Sequence, residues 1–225
     1  QAKVYEATMM RLRQRVDSIV KEKGFERGRT EVLAAITQLR EICCHPSLVL
    51  DDDTGTSGKL DMLPDMLPEA IAKGRRVLLF SAFTSMLKIL RRELDDAGYE
   101  TMYLDGDTPA QRRVEMAEQF NAGQGQIFLI SLKAGGTGLN LTGADMVIHY
   151  DPWWNPAAED QATDRAYRIG QTRKVEVIRL VTHASIEEQV VALGQRKKAL
   201  FDQLIKPGES MVGGLSPQEI MSLFQ

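Results

Sequence analysis

The pattern of apolar and polar residues divides the chain into a helical start, an alternating middle and a helical end. Residues 3–23 and 30–44 have apolar positions at spacings of three and four, which predicts two amphipathic helices. The polar, glycine-containing stretch DDDTGTSG at 51–58 follows them and predicts a linker. We therefore expect a helical segment and linker at 1–56, separate from the rest of the chain.

In the middle of the chain, short apolar runs alternate with amphipathic stretches. The apolar runs predict buried strands at 76–82, 100–106, 126–131, 144–151 and 175–182. The amphipathic stretches predict helices at 59–74, 84–98, 109–123 and 155–170, although Pro64 and Pro68 leave the continuity of the first one open. Because strand–helix–strand alternation produces parallel strands, the sequence predicts an α/β fold: a three-layer parallel sheet at 57–182 with helices on both faces.

The end of the chain returns to helical patterning. Residues 185–204 predict one long helix that begins with a capping box formed by Ser185 and Glu188. A loop follows, and the stretch SPQEIMSLF predicts a last short helix. We expect 183–225 to form a helical segment that flanks the sheet.

Composition and charge exclude some classes of protein. The chain is 43% hydrophobic and 26% charged, and no apolar run is long enough to span a membrane. Its net charge of −3 means that any surface for nucleic acid must be local. Cys43 and Cys44 are adjacent, which disfavours a disulfide, and no second cysteine pair is present to complete a zinc site.

Two further expectations follow from the cysteines and from the first residue. Reduced thiols are typical of an intracellular protein, in a bacterial cytoplasm or a eukaryotic nucleus. Because the chain begins with Gln1 rather than Met, we also expect it to be a piece of a longer protein.

Two motifs follow predicted strands, at the edge of the sheet where α/β proteins bind ligands. The glycine-rich stretch SLKAGGTGLNL, 131–141, is typical of either a phosphate or nucleic-acid loop or a tight turn. The stretch YDPWWNP, 150–156, places two tryptophans either as plugs of the core or as a rim beside a ligand. The stretch SGK, 57–59, lacks the spacing of a phosphate loop and is not one.

A further motif, TDRAYRIGQT, covers residues 163–172. On the predicted helix, Gln161, Arg165 and Arg168 share one face, beside an apolar seam of Ala162, Ala166 and Ile169. Arginine presents a fixed fork of donors that suits phosphate oxygens, whereas a pair between Asp164 and Arg168 would be an ordinary surface ion pair. Helix geometry alone leaves both interpretations open.

The order of these motifs resembles a known family. FSAFTSML, YLDGDTP, SLKAGGTGLNL and DPWWNPAAEDQATDRAYRIGQ together resemble the second RecA-like lobe of superfamily 2 helicase-like ATPases, and in particular the SWI/SNF-type branch. LREICCHPSLV resembles the segment between the lobes, and the helix at 185–204 resembles a brace across them. The resemblance covers residue 30 to the C-terminus, and its last two motifs are highly specific.

The resemblance implies an ATP hydrolase that moves along double-stranded DNA and remodels protein–DNA complexes. It implies arginine fingers at Arg165 and Arg168, supported by Gln161 and Asp164. ATP with Mg²⁺ would be bound mainly by the N-terminal ATPase lobe, with Gly136 and Gly138 on this side. The nucleic-acid contacts that it implies are Ser81, Thr84, Gly106, Thr108, Arg113, Ser131, Lys133, Gly135, Asn140 and Trp153.

Some features limit what this chain does alone. Ala82, Asp107 and Tyr167 depart from the usual residues of the family, and a carboxylate at Asp107 should repel a DNA backbone. The chain has no GxxxxGK[ST] loop and no Asp-Glu-x-His motif, so we expect it to be inactive without the other lobe. The alternative is a non-catalytic module that binds nucleic acid or protein. A Rossmann or flavodoxin-type enzyme is not favoured, because its cofactor fingerprint and a paired acid and base are missing.

Overall fold

The computed structural model describes residues 1–51, 55–134, 138–204 and 216–224. They form two compact units. One contains Gln1–Gly58 and Thr182–Gln225, and the other contains Lys59–Val181. Within the described residues, no helix has the length and apolar content needed to cross a membrane.

The second unit contains a five-stranded parallel sheet. Its strands are β1 (Val77–Ser81), β2 (Thr101–Leu104), β3 (Ile127–Ser131), β4 (Met146–His149) and β5 (Glu176–Arg179), in the order β2-β3-β1-β4-β5. In register, Ser81 of β1 lies beside Ser131 of β3, and Phe80 lies beside His149 of β4. Every residue of β1, β3 and β4 is buried, as expected of strands covered on both faces. The predicted α/β fold with a parallel sheet is confirmed.

Four helices belong to this unit: α3 (Gly58–Ala72), α4 (Thr84–Asp96), α5 (Ala110–Asn121) and α6 (Pro156–Thr163). Helix α3 continues through both Pro64 and Pro68. Proline in a helix interior costs about 3 kcal/mol, but Leu63 and Leu67 of the same helix are buried. Tertiary packing of that apolar face therefore keeps α3 continuous.

The core of the second unit lies between the sheet and its helices. Phe80, Phe120 and Phe128 are fully buried in it, and the rings of Phe120 and Phe128 are 5.3 Å apart between centroids. Ala162 and Ala166 belong to the same cluster. The start of the 164–170 segment is therefore packed against the sheet, although that segment is not helical.

The first unit is helical, with α1 (Ala2–Lys23), α2 (Phe25–Cys44), a short 3₁₀ turn (Pro46–Leu48), α7 (Ile186–Leu204) and α8 (Pro217–Ser222). The hydroxyl of Tyr5 accepts a hydrogen bond of 2.6 Å from the amide of Ile186, so α1 satisfies the start of α7. Cys43 and Cys44 are both buried.

Two predicted boundaries and one predicted cap were wrong. Helix α6 ends at Thr163, so the predicted helix 155–170 is seven residues too long at this end. Helix α2 begins at Phe25 rather than at residue 30. At α7, the hydroxyl of Ser185 accepts from the amide of Glu187, while the carboxylate of Glu188 accepts from the amide of Ala184. The capping box occurs at α8 instead, between Ser216 and Glu219.

Candidate functional site

A buried carboxylate joins the ends of the central strands β1 and β4. Asp151 follows β4 and accepts hydrogen bonds from the hydroxyl of Ser81, the last residue of β1, and from the amide of Ala82, the next residue. Both Ser81 and Asp151 are buried, so the Ser81 hydroxyl is held inside the protein. Thr84, which begins α4 just beyond, is exposed.

Arg113 of α5 holds the loop between β2 and α5. Its guanidinium donates to the carbonyl oxygens of Thr108 at 2.7 Å and Gly106 at 2.8 Å. It also donates to the carbonyl oxygen of Ala134 at 3.3 Å, in the segment after β3. The predicted nucleic-acid residues Gly106, Thr108 and Arg113 are thus brought together, with the arginine bonded to backbone atoms.

The glycine-rich motif begins at the same edge of the sheet. Ser131 is buried at the end of β3, whereas Lys133 and Asn140 are exposed. Gly138 adopts a φ of 47°, a left-handed conformation that glycine reaches without a steric penalty. The predicted site residues Gly135 and Gly136 lie outside the described residues.

The two tryptophans lie in a loop that a second buried carboxylate holds. Glu159 of α6 accepts from the amide of Trp153 at 2.7 Å and from Nε of Arg179 in β5 at 2.7 Å. Glu159 is only 4% exposed, while Trp153 is half-buried. Sequence reasoning missed Glu159, because an acidic residue in the first turn of a helix is ordinary there. Asn155 caps α6, accepting from the amide of Ala157 at 3.0 Å.

His149, the last residue of β4, contacts the other end of α6. Its Nε2 lies 2.9 Å from the hydroxyl of Thr163, and its ring stacks on Phe80. Burial, together with the positive charge of Arg179, lowers the pKa of His149 to about 4. The imidazole is therefore neutral near pH 7 and serves as a hydrogen-bonding group at the C-terminal end of α6.

The lysine of the SGK stretch is also an anchor. Lys59 is buried, and its Nζ donates to the carbonyl oxygen of Tyr150 at 2.8 Å. Tyr150 precedes Asp151 in the chain. Lys59 thus contacts the loop after β4.

The arginine motif is not a helix face. Because α6 ends at Thr163, Arg165 and Arg168 lie in a segment of turns, while Gln161 is exposed on the helix and Asp164 is exposed at its end. The predicted apolar seam holds for Ala162 and Ala166, but Ile169 is fully exposed, so that part of the prediction was wrong.

The two arginines differ sharply in their surroundings. Arg168 is exposed, and its Nη1 donates to the carbonyl oxygen of Gly138 at 2.8 Å, which connects the arginine motif to the glycine-rich motif. Arg165 is 2% exposed, and its buried Nε and Nη1 have no hydrogen-bond partner. Burial, and then the charge of Arg168, lowers the pKa of Arg165 to about 10.

An arginine with that pKa is still charged near pH 7. A buried charge with two unpartnered donor nitrogens is energetically costly, and an anion with several acceptor oxygens would relieve that cost. Arg165 therefore has two donor nitrogens without an acceptor within the described part of the chain. No His, Cys, Asp or Glu side chains come together as a group of three that could hold a metal ion, within the described part of the chain.

Comparison with known proteins identifies the family of the chain. Residues 58–170 match the helicase conserved C-terminal domain. The chain is 38% identical over 230 residues to the putative ATP-dependent helicase/translocase YwqA of Bacillus subtilis, with 100% of the chain and 24% of the relative covered. It is 37% identical over 213 residues to the human SWI/SNF-related matrix-associated actin-dependent regulator of chromatin subfamily A member 1, with 88% and 20% covered. The chain thus spans about a quarter or less of these relatives.

A solved structure supports the same assignment. The SWI2/SNF2 ATPase core of Sulfolobus solfataricus in complex with dsDNA is 33% identical, with a TM-score of 0.77, and the alignment covers 99% of this chain and 47% of that one. The chain therefore belongs to the helicase conserved C-terminal domain family, as a C-terminal RecA-like lobe of the SWI/SNF-type ATPases.

Proposed function

We propose that the chain is the second motor lobe of a DNA-dependent ATPase that translocates on double-stranded DNA and remodels protein–DNA complexes. The family is that of ATP-dependent helicases and translocases, and a relative of known structure binds dsDNA. The proposal extends to the whole protein, of which we expect this chain to supply about a quarter. Residues 1–56 would be the segment between the lobes, 57–182 the lobe, and 183–225 the brace.

The observation that supports this proposal most strongly is the buried guanidinium of Arg165. Its Nε and Nη1 lack hydrogen-bond partners although the side chain is buried. The γ-phosphate of ATP, bound with Mg²⁺ mainly by the N-terminal lobe, is the anion that would complete this site. Closure of the two lobes would bring phosphate oxygens and Arg165 together.

In this mechanism Arg165 and Arg168 stabilise the charge that develops on the transferred phosphoryl group. An arginine finger typically contributes about 10³–10⁵ in rate. Arg165 is buried, while Arg168 is exposed and bonded to the carbonyl oxygen of Gly138, from where it would reach the site. Gln161 and Asp164 are exposed next to the pair and would support it from the surface.

For DNA binding, the proposal uses the stretches that follow β1, β3 and β4. Thr84, Lys133 and Asn140 are exposed there, and Trp153 is half-buried, so each can reach a phosphate backbone or a sugar. Ser81 and Arg113 would act by holding the loops that present those groups, since their own polar atoms bond within the protein. The net charge of −3 predicts weak binding dominated by these local contacts.

The test is a series of variants in the full-length protein. Arg165→Ala should lower DNA-stimulated ATP turnover by about 10³-fold or more and leave DNA affinity unchanged. Arg165→Lys should fail nearly as badly, because an ammonium cannot replace the planar fork. The matched control is Arg112→Ala, which removes an exposed arginine that pairs with Glu115 on α5.

Two results would contradict the proposal. Normal turnover in Arg165→Ala would favour the alternative of a non-catalytic binding module. ATP hydrolysis by the purified 225-residue chain alone would show that no second lobe is required, because we expect the phosphate loop to lie in that lobe.

A further inference from the structure

The segment that carries the two arginines lacks the hydrogen bonds of a helix. Helix α6 ends at Thr163, and residues 164–170 form turns. The carbonyl oxygen of Arg165 accepts from the amide of Leu141 at 3.0 Å, which ties the segment to the stretch after the glycine-rich motif. The other backbone bonds of the segment join it only to α6 or to Gln171, so its attachment to the stretch before β4 depends largely on side chains.

The side chain of Gln171 supplies the missing contacts. Its Nε2 donates to three backbone carbonyl oxygens, at 2.7 Å to Ala144, 3.0 Å to Ala166 and 3.2 Å to Thr142. Its Oε1 accepts from the amide of Arg173 at 2.9 Å. An amide NH₂ has two hydrogens, so one of them is shared between two carbonyls.

Of the three carbonyl oxygens that Nε2 contacts, two lie outside residues 164–170 and one lies inside that segment. Thr142 and Ala144 belong to the stretch that leads into β4, whereas Ala166 is the neighbour of Arg165 and is fully buried. Gln171 therefore fixes the distance between the two stretches. Tyr167 makes a different contact, from its hydroxyl to the carbonyl of Val175 at 2.7 Å, and does not join those stretches.

The buried position is energetically unfavourable for the charged guanidinium of Arg165, so other contacts must hold this segment in place. A buried charge with two unpartnered nitrogens, Nε and Nη1, favours movement of the side chain toward water. Any loosening of the segment would therefore let Arg165 move out to the solvent. We propose that Gln171 is a positioning residue, which holds Arg165 in place for phosphate before ATP binds; this inference rests on the function proposed above.

The first experiment replaces the amide with an apolar side chain of similar length in the full-length protein. Gln171→Met should lower kcat for DNA-stimulated ATP hydrolysis by about 100-fold, the cost of a misplacement of about 1 Å. KM for ATP and DNA affinity should stay close to wild type. Gln111→Met makes the same change on the exposed surface of α5 and should leave all three values unchanged. An unchanged kcat in Gln171→Met would overturn the proposal.

The second experiment distinguishes positioning from general support of the fold. If Gln171 acts through Arg165, then Gln171→Met should cause no further loss of kcat in the Arg165→Ala background, measured under single-turnover conditions. A loss that multiplies with that of Arg165→Ala would overturn the proposal. Wild-type turnover in Arg165→Ala alone would instead contradict the proposed function of the lobe.

Hydrogen exchange checks that the fold survives. Amides of residues 164–170 should exchange faster in Gln171→Met, while those of β1 and β3 keep their protection. Gln171→Asn shortens the side chain by one methylene and should give the same local pattern and the same loss of kcat. Loss of protection throughout the sheet in both variants would assign Gln171 to the scaffold and refute the proposal.

Discussion

Glu159 and Asp160 are adjacent carboxylates that contact the same arginine, and they should differ greatly in their contribution to stability. Oε2 of Glu159 lies 2.7 Å from Nε of Arg179, and Oδ1 of Asp160 lies 3.6 Å from its Nη2. The Glu159 side chain is 6% exposed, whereas that of Asp160 is 40% exposed. Each carboxylate is replaced with its amide, in the variants Glu159→Gln and Asp160→Asn.

The contacts of each carboxylate determine how much unfolding free energy its replacement should cost. In Glu159→Gln, one side-chain atom can still accept from the amide of Trp153, but an NH₂ group then faces the donor Nε of Arg179. A hydrogen bond to a charged group contributes about 1.5–3 kcal/mol, and half-exposure of Arg179 lets water replace part of it. We expect a loss of about 2 kcal/mol, or about 4–8 °C in Tm for a chain of this size. Asp160→Asn should cost about 0.5 kcal/mol or less, because the pair is long and exposed.

The assay is thermal unfolding of both variants, followed by circular dichroism and calorimetry. Glu159→Gln should also raise the exchange rate of the Trp153 amide, which reports directly on the loop. Equal Tm values for the two variants would contradict this prediction, because they would show that burial of Glu159 does not strengthen its contacts.

Three further predictions concern single residues. The pKa of His149 is about 4 when folded and about 6.5 when unfolded, so the unfolded state binds more protons between these values and stability should fall by about 3 kcal/mol as pH drops from 7 to 4. Urea unfolding at both pH values should show a smaller drop in His149→Gln than in the exposed control His183→Gln. Ile169→Thr should change the free energy of unfolding by less than about 0.5 kcal/mol, since Ile169 is fully exposed, and a larger loss would mean that it packs in solution. Lys133→Ala should reduce the salt dependence of DNA binding by about one phosphate contact, a slope change of about 0.9, and an unchanged slope would remove Lys133 from the DNA surface.

The parallel sheet could be predicted because its strands are short apolar runs between helical stretches. Burial of whole strands such as β1 and β3 is directly visible in composition. Because parallel strands share one carboxyl edge, the same pattern predicts that Ser81 and Asp151, at the ends of neighbouring strands, lie close together, and they are hydrogen-bonded.

The structure of the arginine segment could not be predicted from periodicity. Ile169 fits a helical repeat with Ala162 and Ala166, yet it is exposed, because the chain leaves the helix at Thr163. The contacts that replace the helix run from the side chain of Gln171 to carbonyls of residues remote in sequence. Periodicity contains no information about such contacts, and it could not show that Arg165 is buried while Arg168 is exposed.

The carboxylate of Asp151 has a mechanical consequence. Because it bonds both to Ser81 and to the amide of Ala82, the loops that follow β1 and β4 are clamped at their base. Thr84, at the start of α4, and Trp153, in the loop after β4, lie just beyond the residues that this carboxylate joins. A force on either loop is therefore transmitted to the other, and we expect the two loops to move together rather than independently.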